Sequence, residues 1–369
     1  MCPDETYDAI PLEDAVQTLG PDERGMMTEL FYAFNTVITL QAFGDEGTCR
    51  VAFADARAAC RLFERRFSRT LPHSDIARLN AAEGAPVAIA ADTAELLRAA
   101  IDFCADSEGC FDITMGAVVR LWNFHEGIIP PQEDIDAALA HVDWRTLRVW
   151  EEPGDDNTER DECRGNAREH RTGTGKQRGS ADTRGILGDN ACTNGRARHP
   201  QAFAQLSDPL AAVDVGGIAK GWIADRLAEA IAAHSLDAFI VNLGGNVVAH
   251  GQKPDGSPWR IGLQDPREKE GIVGAVAVRD ASAVTSGVYE RCFEKDGAFY
   301  HHILDPETGY PAKTDAAGAT VVTRLSLDAE GYSTTLLALG VERGITFTRK
   351  HPAILSAYFV DHDGNVHEA

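Results

Sequence analysis

The stretch Asp214–Gly221, which reads DVGGIAKG, constrains the fold of this chain more than any other feature. The apolar residues 210–215 predict a short strand, and the glycine pair lets the backbone turn sharply and lets a ligand approach closely. A strand, a glycine turn and a helix N-terminus together suit an anion, because free N–H groups face the turn, and Lys220 adds a mobile charge. The alternative is that the glycines only turn the chain. An amphipathic helix is predicted next, since apolar residues recur at helical spacing at Ile218, Trp222, Ile223, Leu227 and Ile231.

The charge balance narrows the classes of partner. A net charge of −22 argues against nucleic acid, whose phosphates need a basic protein face. An anionic ligand must therefore be held by glycine turns, by single Lys or Arg residues, or through a bound cation. The first thirty residues lack a basic start followed by an apolar run, and no stretch approaches the ~20 apolar residues of a membrane span. These features predict a cytoplasmic protein without a membrane span, or an extracytoplasmic one if the start is misassigned. The eight cysteines contain no CxxC pair, which is typical of reduced thiols.

The length and composition predict one large folded unit. With 369 residues, of which 44% are apolar, the chain can bury a sizeable core. Residues 1–27 are acidic and weakly patterned, and we expect a loose N-terminal arm there, followed by one domain over 28–369. Between Glu151 and Pro200 the only large apolar residues are Ile186 and Leu187. Such a segment buries too little apolar surface to offset its ordering entropy, so 151–200 is predicted to be a low-complexity insertion.

The hydrophobic patterns predict the α+β class. Helices are indicated over 51–67, over 92–105 with Asp92 or Thr93 as the cap, and over 326–340. Strands dominate the second half without the regular βαβ alternation of a doubly wound fold. We therefore expect mixed sheets with interspersed helices in one globular unit. The predicted strands cover 34–43, 238–241, 247–248, 259–263, 274–278 and 319–322, with a final hairpin at 358–364.

A glycine-bounded turn at 107–116 contains Asp112 and Thr114 on either side of an apolar residue. An Asx turn or a helix N-cap accounts for this pattern, and a ligand-binding role is the alternative.

Nine segments, in this order along the chain, resemble those of the FAD:protein FMN transferases, the ApbE-type flavin transferases. The resemblance covers about nine-tenths of the chain, from Phe34 to the end, and is interrupted by the predicted insertion. The segments read FNTVITL, SDIARLN, GCFDITMGAVVRLWNF, DVGGIAKGWIADRLAEAI, VNLGGNVVAHG, PWRIGLQDP, AVTSGVYER, HHILDPETGYP and STTLLALG. The resemblance implies the ApbE-type α+β fold, with FAD in a cleft between the glycine turns and Mg²⁺ on its pyrophosphate. It also implies transfer of FMN from FAD to a Thr or Ser hydroxyl of a target flavoprotein, with release of AMP.

The resemblance further implies the residues of a metal site. The family's metal-binding backbone carbonyl falls on Gly217, and its acid and threonine, spaced by four, fall on Glu330 and Thr334. Family members usually carry Asp at the acidic position, so Glu330 is a departure that lengthens the reach by one methylene. Asp328 is a weaker candidate, since it points to another helix face. Oxygen ligands suit Mg²⁺, which neutralises charge when a pyrophosphate is broken.

FAD contacts and catalytic roles are implied in the same way. His302 is the candidate proton acceptor, because histidine is the side chain best suited to titrate near neutral pH and His302 lies beside the turn 304–306, which the family places against the flavin phosphates. Asp305 would orient its ring or the loop. A packing or capping role for His302 is the alternative, and His301 is expected to face the opposite way. The residues implied to contact FAD are Phe34, Ser68, Arg69, Thr70, Asp112, Lys220, Ile303 and Leu304.

Two other functions remain open from the sequence. Water in place of the acceptor hydroxyl would make the protein an FAD pyrophosphatase, and loss of metal geometry at Glu330 would leave a non-catalytic flavin-binding protein. AMP release from FAD with and without an acceptor distinguishes the three functions.

Overall fold

The computed structural model describes residues 16–153, 201–268 and 271–369. The helices in these ranges are α1 (Glu46–Phe67), α2 (Asp75–Asn80), α3 (Ala91–Asp106), α4 (Gly116–Val119), α5 (Gln132–Leu139), α6 (Ala219–Ala232) and α7 (Ser326–Thr348). The strands in these ranges are β1 (Gln17–Leu19), β2 (Met26–Ala33), β3 (Thr36–Phe43), β4 (Val87–Ile89), β5 (Leu147–Glu152), β6 (Gln201–Leu206), β7 (Ala238–Leu243), β8 (Asn246–His250), β9 (Trp259–Gln264), β10 (Ile272–Val278), β11 (Ala281–Gly287), β12 (Cys292–Lys295), β13 (Ala298–His301), β14 (Ala316–Thr323), β15 (Ile354–Asp361) and β16 (Val366–Glu368).

A nine-stranded sheet organises the fold, in the order β1-β2-β3-β7-β8-β11-β14-β15-β16. Neighbouring strands in it are antiparallel, with Ile38 opposite Leu243 and Val284 opposite Val321. Every residue of β14 is buried, as expected for a strand covered on both faces. Smaller sheets are formed by β4-β6-β5, by β9 with β10 and by β12 with β13. The α+β class predicted from the sequence is confirmed.

The helices pack their apolar faces into the core. The five apolar residues that predicted a helix after the glycine pair are all buried, with α6 beginning at Ala219. Trp222 of α6 meets Phe63 of α1 edge-to-face, with ring centroids 5.0 Å apart. Burial of one such large apolar side chain contributes about 1.5–3 kcal/mol, so this contact holds α6 firmly to α1.

Helices α6 and α7 approach each other closely because Gly221 has no side chain. A Cβ atom on Gly221 would lie 2.7 Å from the Cβ of Glu330 and 2.5 Å from the carbonyl oxygen of Ser326. No side chain fits in that space. This contact brings the first turn of α6 against the early turns of α7. Helix α7 is longer than the predicted helix over 326–340, and its regular backbone is interrupted at Gly340.

Two predictions for the N-terminal part are corrected at their boundaries. The strand predicted over 34–43 is confirmed as β3, except that Phe34 and Asn35 form the two-residue turn that joins β3 to β2. Both turn residues have positive φ, 52° and 59°, which matches the twist of a tight hairpin. Strand β1 and the start of β2 fall inside the predicted loose arm over 1–27, and residues 1–15 lie outside the described residues.

Two further local predictions are corrected. Residues 210–215 do not form a strand, because only one parallel bridge, between Ala212 and Met115, is present there. The Asn80 amide holds that segment instead, exchanging hydrogen bonds of 2.9 and 2.7 Å with the backbone of Val213. Neither Asp92 nor Thr93 caps α3, since the N-cap residue is Ala90.

The predicted insertion enters and leaves the fold at the open end of one strand pair. Strands β5 and β6 pair from Leu147 with Leu206 to Glu152 with Gln201. Residues 154–200 lie outside the described residues. The two ends of the segment are therefore held side by side by the sheet.

In the described part of the chain, none of the helices has the length and apolar character needed to cross a membrane.

Candidate functional site

Two residues predicted for different roles, Lys220 and Glu330, form an ion pair. Lys220 lies in the first turn of α6 and Glu330 in α7, and their Nζ and Oε1 atoms are 2.6 Å apart. The Glu330 residue is only 4% exposed, whereas 31% of the Lys220 side chain is accessible to solvent. Burying a charge is costly unless an opposite charge accompanies it, so Lys220 supplies the compensation that Glu330 needs.

The second oxygen of Glu330 is held by Asn246, the first residue of β8. Asn246 Nδ2 donates to Glu330 Oε2 at 2.6 Å, and its Oδ1 accepts a 2.7 Å bond from the Ser326 hydroxyl. The Ser282 hydroxyl in turn donates to the Ser326 hydroxyl at 2.9 Å. This chain of buried polar groups sets the orientation of the carboxylate. Sequence reasoning missed Asn246, although its position directly after the second glycine pair was a usable signal.

Asp225 of α6 supplies the cap that α7 lacks. The N-cap residue Leu325 has no side-chain hydrogen bond, and Asp225 instead accepts bonds of 2.7 and 2.9 Å from the amides of Ser326 and Leu327. Burial raises the pKa of Asp225 to about 6, while the two amides act in the opposite direction. Asp225 therefore fixes the N-terminus of α7, about one turn before Glu330. Sequence reasoning did not single out Asp225.

Two charged residues after β11, Glu290 and Arg291, surround Lys220. Burial by itself lowers the pKa of Lys220, but the carboxylates of Glu330 and Glu290 outweigh it, and the pKa is raised. Desolvation raises the pKa of Glu290, while Lys220 and Arg291 act against that rise. These two residues lie in the segment AVTSGVYER, but sequence reasoning gave them no role. The site thus contains two carboxylates and two cationic side chains.

His302 lies beside this cluster, immediately after β13. Its amide donates to the carbonyl oxygen of Arg291 at 3.1 Å, and its Nδ1 is buried with no hydrogen-bond partner among the described residues. Burial, followed by the charges of Arg291, His301 and Lys220, lowers the pKa of His302 to about 3. The expectation of a histidine that titrates near neutral pH is therefore wrong, and the ring is neutral at pH 7.

The neighbouring His301 has a different environment. It is buried, and its Nε2 lies 3.2 Å from the carbonyl oxygen of Ala312. The two rings therefore face different surroundings, as predicted from their positions at the end of a strand.

The turn after His302 is organised by Asp305. Its Oδ1 accepts a 2.8 Å bond from the Glu307 amide, and its own amide donates to the carbonyl oxygen of Tyr310 at 2.8 Å. Of the two alternatives for Asp305, orienting the ring or ordering the loop, these contacts match the loop. Ile303 and Leu304 are buried in the core. Their contacts with FAD stay predictions.

The first glycine turn lies next to the turn that follows α1. Asp214 Oδ1 accepts a 2.8 Å bond from the Gly216 amide, while Asp214 Oδ2 is 3.5 Å from the Nε of Arg69. The Ser68 hydroxyl accepts bonds from the amides of Thr70 and Leu71, at 3.2 and 3.1 Å. The structure therefore brings Arg69 next to the glycine turn. Contacts of Ser68, Arg69 and Thr70 with FAD stay predictions.

Asp112 forms the Asx turn that was one of its two predicted roles. Its Oδ1 accepts from the amide and the hydroxyl of Thr114, at 2.7 and 2.6 Å, and its Oδ2 accepts from the Trp144 amide at 3.1 Å. Both carboxylate oxygens already have donors. A contact between Asp112 and FAD stays a prediction.

Phe34 lies in the β2–β3 turn rather than in a strand. Its amide donates to Glu64 Oε1 at 3.3 Å, and it packs partly buried against the core. Thr36, the first residue of β3, occupies the space that a Cβ of Gly244 would need. The Phe34 turn is therefore a neighbour of the second glycine turn, which leads to Asn246.

The predicted metal ligands fit Mg²⁺ by the chemistry of their donors. Thr334 lies four residues after Glu330 in α7, and its hydroxyl is 3.4 Å from the hydroxyl of Ser286 in β11. Among the described residues, no three His, Cys, Asp or Glu side chains are grouped so that they could hold a metal. Mg²⁺ does not need such a group, because it commonly takes one or two carboxylates together with waters and substrate phosphates. The roles of Gly217, Glu330 and Thr334 as ligands of one ion stay predictions.

The comparisons with known proteins agree with one another. The model of the ApbE family matches residues 34–359. The FAD:protein FMN transferase of Treponema pallidum (strain Nichols) is 33% identical over 307 residues, covering 79% of this chain and 72% of that relative. That of Klebsiella pneumoniae (strain 342) is 31% identical over 291 residues, covering 78% of this chain and 75% of the relative.

Solved structures are similar over nearly the whole chain. The flavinyl transferase ApbE of Pseudomonas stutzeri, in its apo form, superposes with a TM-score of 0.68 at 25% identity, covering 94% of this chain and 96% of that one. The ApbE protein of Thermotoga maritima has a TM-score of 0.73 at 23% identity, covering 96% and 97%, and supports the fold alone.

Proposed function

This chain belongs to the ApbE family, and from that membership we infer that it is an FAD:protein FMN transferase, with FAD as its substrate and a protein as its acceptor. The observation that carries this function is the family match over 34–359, which includes the cluster of Lys220, Glu290, Arg291, His302 and Glu330. Such a cluster offers what cleavage of a pyrophosphate requires: cationic groups for its oxygens, a carboxylate for a cation, and a base.

The proposed acceptor is a Thr or Ser hydroxyl of a flavoprotein. Its oxygen attacks the phosphorus of the FMN half of FAD, the bond from that phosphorus to the bridging oxygen breaks, and AMP leaves with the bridging oxygen. The hydroxyl proton passes to a base. The product is a phosphoester between FMN and the acceptor.

Positive charge for the pyrophosphate comes from individual side chains in this acidic protein. We assign Lys220 and Arg291 to the anionic oxygens of the pyrophosphate, because both positive charges act on the His302 ring and so lie close to it. Arg69 lies at the neighbouring glycine turn, where its side chain is 43% exposed and 3.5 Å from Asp214, and we assign it to the ligand as well. Phe34, Ser68, Thr70, Asp112 and the backbone of Ile303 and Leu304 complete the proposed FAD contacts.

Glu330 and Thr334, with the carbonyl of Gly217, would hold Mg²⁺. When bound, this ion would neutralise negative charge on the pyrophosphate oxygens. Glu330 is already oriented by Asn246, which limits the reorganisation needed at that carboxylate.

His302 is the proposed proton acceptor. Its ring is neutral at pH 7, so a nitrogen lone pair is available, and its buried Nδ1 has no partner among the described residues. The negative oxygens of bound FAD would offset the charges of Arg291 and Lys220 that depress its pKa. The basicity of His302 would therefore increase when the substrate is in place.

The decisive experiment incubates the protein with FAD and Mg²⁺, with and without an acceptor flavoprotein, and measures AMP and the mass of the acceptor. A transferase releases AMP only with the acceptor and adds one FMN to it. An acceptor whose Thr or Ser is replaced by Val is the matched control and should gain no mass. AMP release regardless of the acceptor would indicate a pyrophosphatase, and no release would indicate a flavin-binding protein.

A further inference from the structure

The two partners of the Glu330 carboxylate differ in their freedom to leave. Asn246 is completely buried, and its other amide atom is bound to Ser326. Lys220 contacts Oε1 through the ammonium group at the end of a flexible four-carbon side chain, 31% of which is exposed. Lys220 is therefore the partner that can be exchanged.

A divalent cation held by Glu330 would compete with the Lys220 ammonium for this carboxylate. Mg²⁺ binds oxygen at about 2 Å, whereas the ammonium nitrogen is 2.6 Å from Oε1. Two positive charges this close repel each other, and one buried carboxylate does not compensate both.

Two other anions are available to Lys220 once it leaves Glu330. Glu290 acts electrostatically on Lys220 and also on Glu330, so it lies within the same cluster. The second anion is the pyrophosphate of FAD, which the function proposed above places beside Lys220. Movement of the ammonium from one carboxylate to the substrate exchanges one ion pair for another.

We propose that Lys220 is an exchangeable counter-ion that occupies the cation's position on Glu330 and moves to the FAD pyrophosphate when the cation binds. This inference rests on the proposed role of Glu330 as a metal ligand. It implies that the free protein binds Mg²⁺ weakly and that FAD and Mg²⁺ strengthen each other's binding, because FAD draws Lys220 away. Coupling of this kind is reciprocal and typically amounts to ~5–150-fold.

The test is isothermal titration calorimetry, in which MgCl₂ is titrated into the full-length protein without FAD. The proteins compared are the wild type, Lys220→Met and Lys220→Arg. Lys220→Met removes the competing charge and keeps an apolar side chain of similar length, so its Kd for Mg²⁺ should be at least ~10-fold lower than that of the wild type. Lys220→Arg is the matched control and should bind Mg²⁺ as weakly as the wild type. Adding FAD should tighten Mg²⁺ binding in the wild type and have a smaller effect in Lys220→Met.

Equal or weaker Mg²⁺ binding by Lys220→Met would overturn the proposal, since Lys220 would then organise the site instead of competing. The double variant Lys220→Met, Glu330→Gln should lose the tight binding, and if it does not, the ion lies elsewhere. If Lys220→Met is unfolded without cation, the proposal requires that millimolar Mg²⁺ restores folding. These titrations need no acceptor, so FMN transfer by the wild type tests the proposed function separately.

Discussion

The two glycine pairs of this chain have the same sequence but different structures. A residue shortly after each pair contacts Glu330. Gly216 and Gly217 have ordinary backbone angles and introduce α6, which carries Lys220. Gly244 and Gly245 have positive φ, 59° and 92°, and form the tight turn between β7 and β8.

Each pair is followed by a residue that holds one oxygen of the Glu330 carboxylate. Lys220 is charged and partly exposed, whereas Asn246 is neutral and buried. The comparison indicates a division of roles: the strand side fixes the carboxylate, and the helix side balances its charge with a group that can move.

The largest loss of activity is expected at Glu330, which both Lys220 and Asn246 contact. Glu330→Ala removes the proposed metal ligand and should reduce Mg²⁺-dependent turnover at least ~100-fold, because a bound metal contributes several kcal/mol to charge neutralisation. Glu330→Asp keeps the carboxylate and should retain much of the activity. The measurement is AMP release against Mg²⁺ concentration. Normal turnover by Glu330→Ala at low Mg²⁺ would mean that another acid holds the ion.

A loss of similar size is expected from His302, which lies in neither glycine turn and does not contact Glu330 directly. Because general-base catalysis contributes ~10²–10⁴-fold, His302→Gln should transfer FMN at least ~100-fold more slowly while its affinity for FAD stays unchanged. Single-turnover transfer and FAD titration measure the two quantities. An unchanged transfer rate would remove His302 from the mechanism and direct attention to Glu290.

The pKa of His302 adds a pH test to this prediction. The neutral ring is the form that accepts a proton, and with a pKa of about 3 in the free protein it stays neutral as the pH falls from 8 to 5. The dependence of kcat/KM on pH, which reports groups in the free enzyme, should therefore show no loss near pH 6.5 from this residue. A loss with a midpoint near 6.5 that disappears in His302→Gln would contradict the lowered pKa.

The two turns should differ in their tolerance of a side chain. Gly244→Ala places a Cβ at positive φ and against Thr36, so it should lower the free energy of unfolding by about 1–3 kcal/mol. Gly216→Ala keeps an ordinary backbone, and the added Cβ meets only Asp214 Oδ1 at 3.0 Å, so the loss should be smaller. Denaturant unfolding of both variants gives the comparison. Equal losses would mean that the backbone conformation does not distinguish the turns.

The smallest effect is expected from the segment outside both turns. Replacing 154–200 with a short Gly/Ser linker should change thermal stability and FAD affinity little, because Glu152 and Gln201 are already paired side by side and loop length changes stability slowly. A large loss of either property would show that the segment contributes to folding or to the site.

Much of the fold follows from local patterns in the sequence. The helical spacing of apolar residues from Ile218 to Ile231 predicted α6, and every one of these residues is buried. The predictions that failed concern places where distant contacts override local preference. Residues 210–215 have strand composition but are held by the Asn80 side chain, 133 positions away in sequence.

The site could be predicted only in part, for the same reason. The family resemblance pointed to Lys220, Glu330 and His302 individually, but it did not indicate that Lys220 pairs with Glu330 or that His302 titrates far below neutral pH. Asp225, Glu290 and Arg291 lie in the quoted segments without any pattern of their own, so nothing local distinguishes them from ordinary polar residues. Only Asn246 had a local signal, its position directly after the second glycine pair.

The sequence by itself determined the order of the elements, the amphipathic face of α6 and the family, since periodicity and motif order are properties of neighbouring residues. Only the tertiary structure decided which charges share the site. Lys220 and Glu330 are 110 positions apart, and Asn246 is 84 positions from Glu330. The strength of each charge and the pKa of each titratable group depend on burial and on distances between such remote residues. Those distances exist only once the sheet and the two helices have packed.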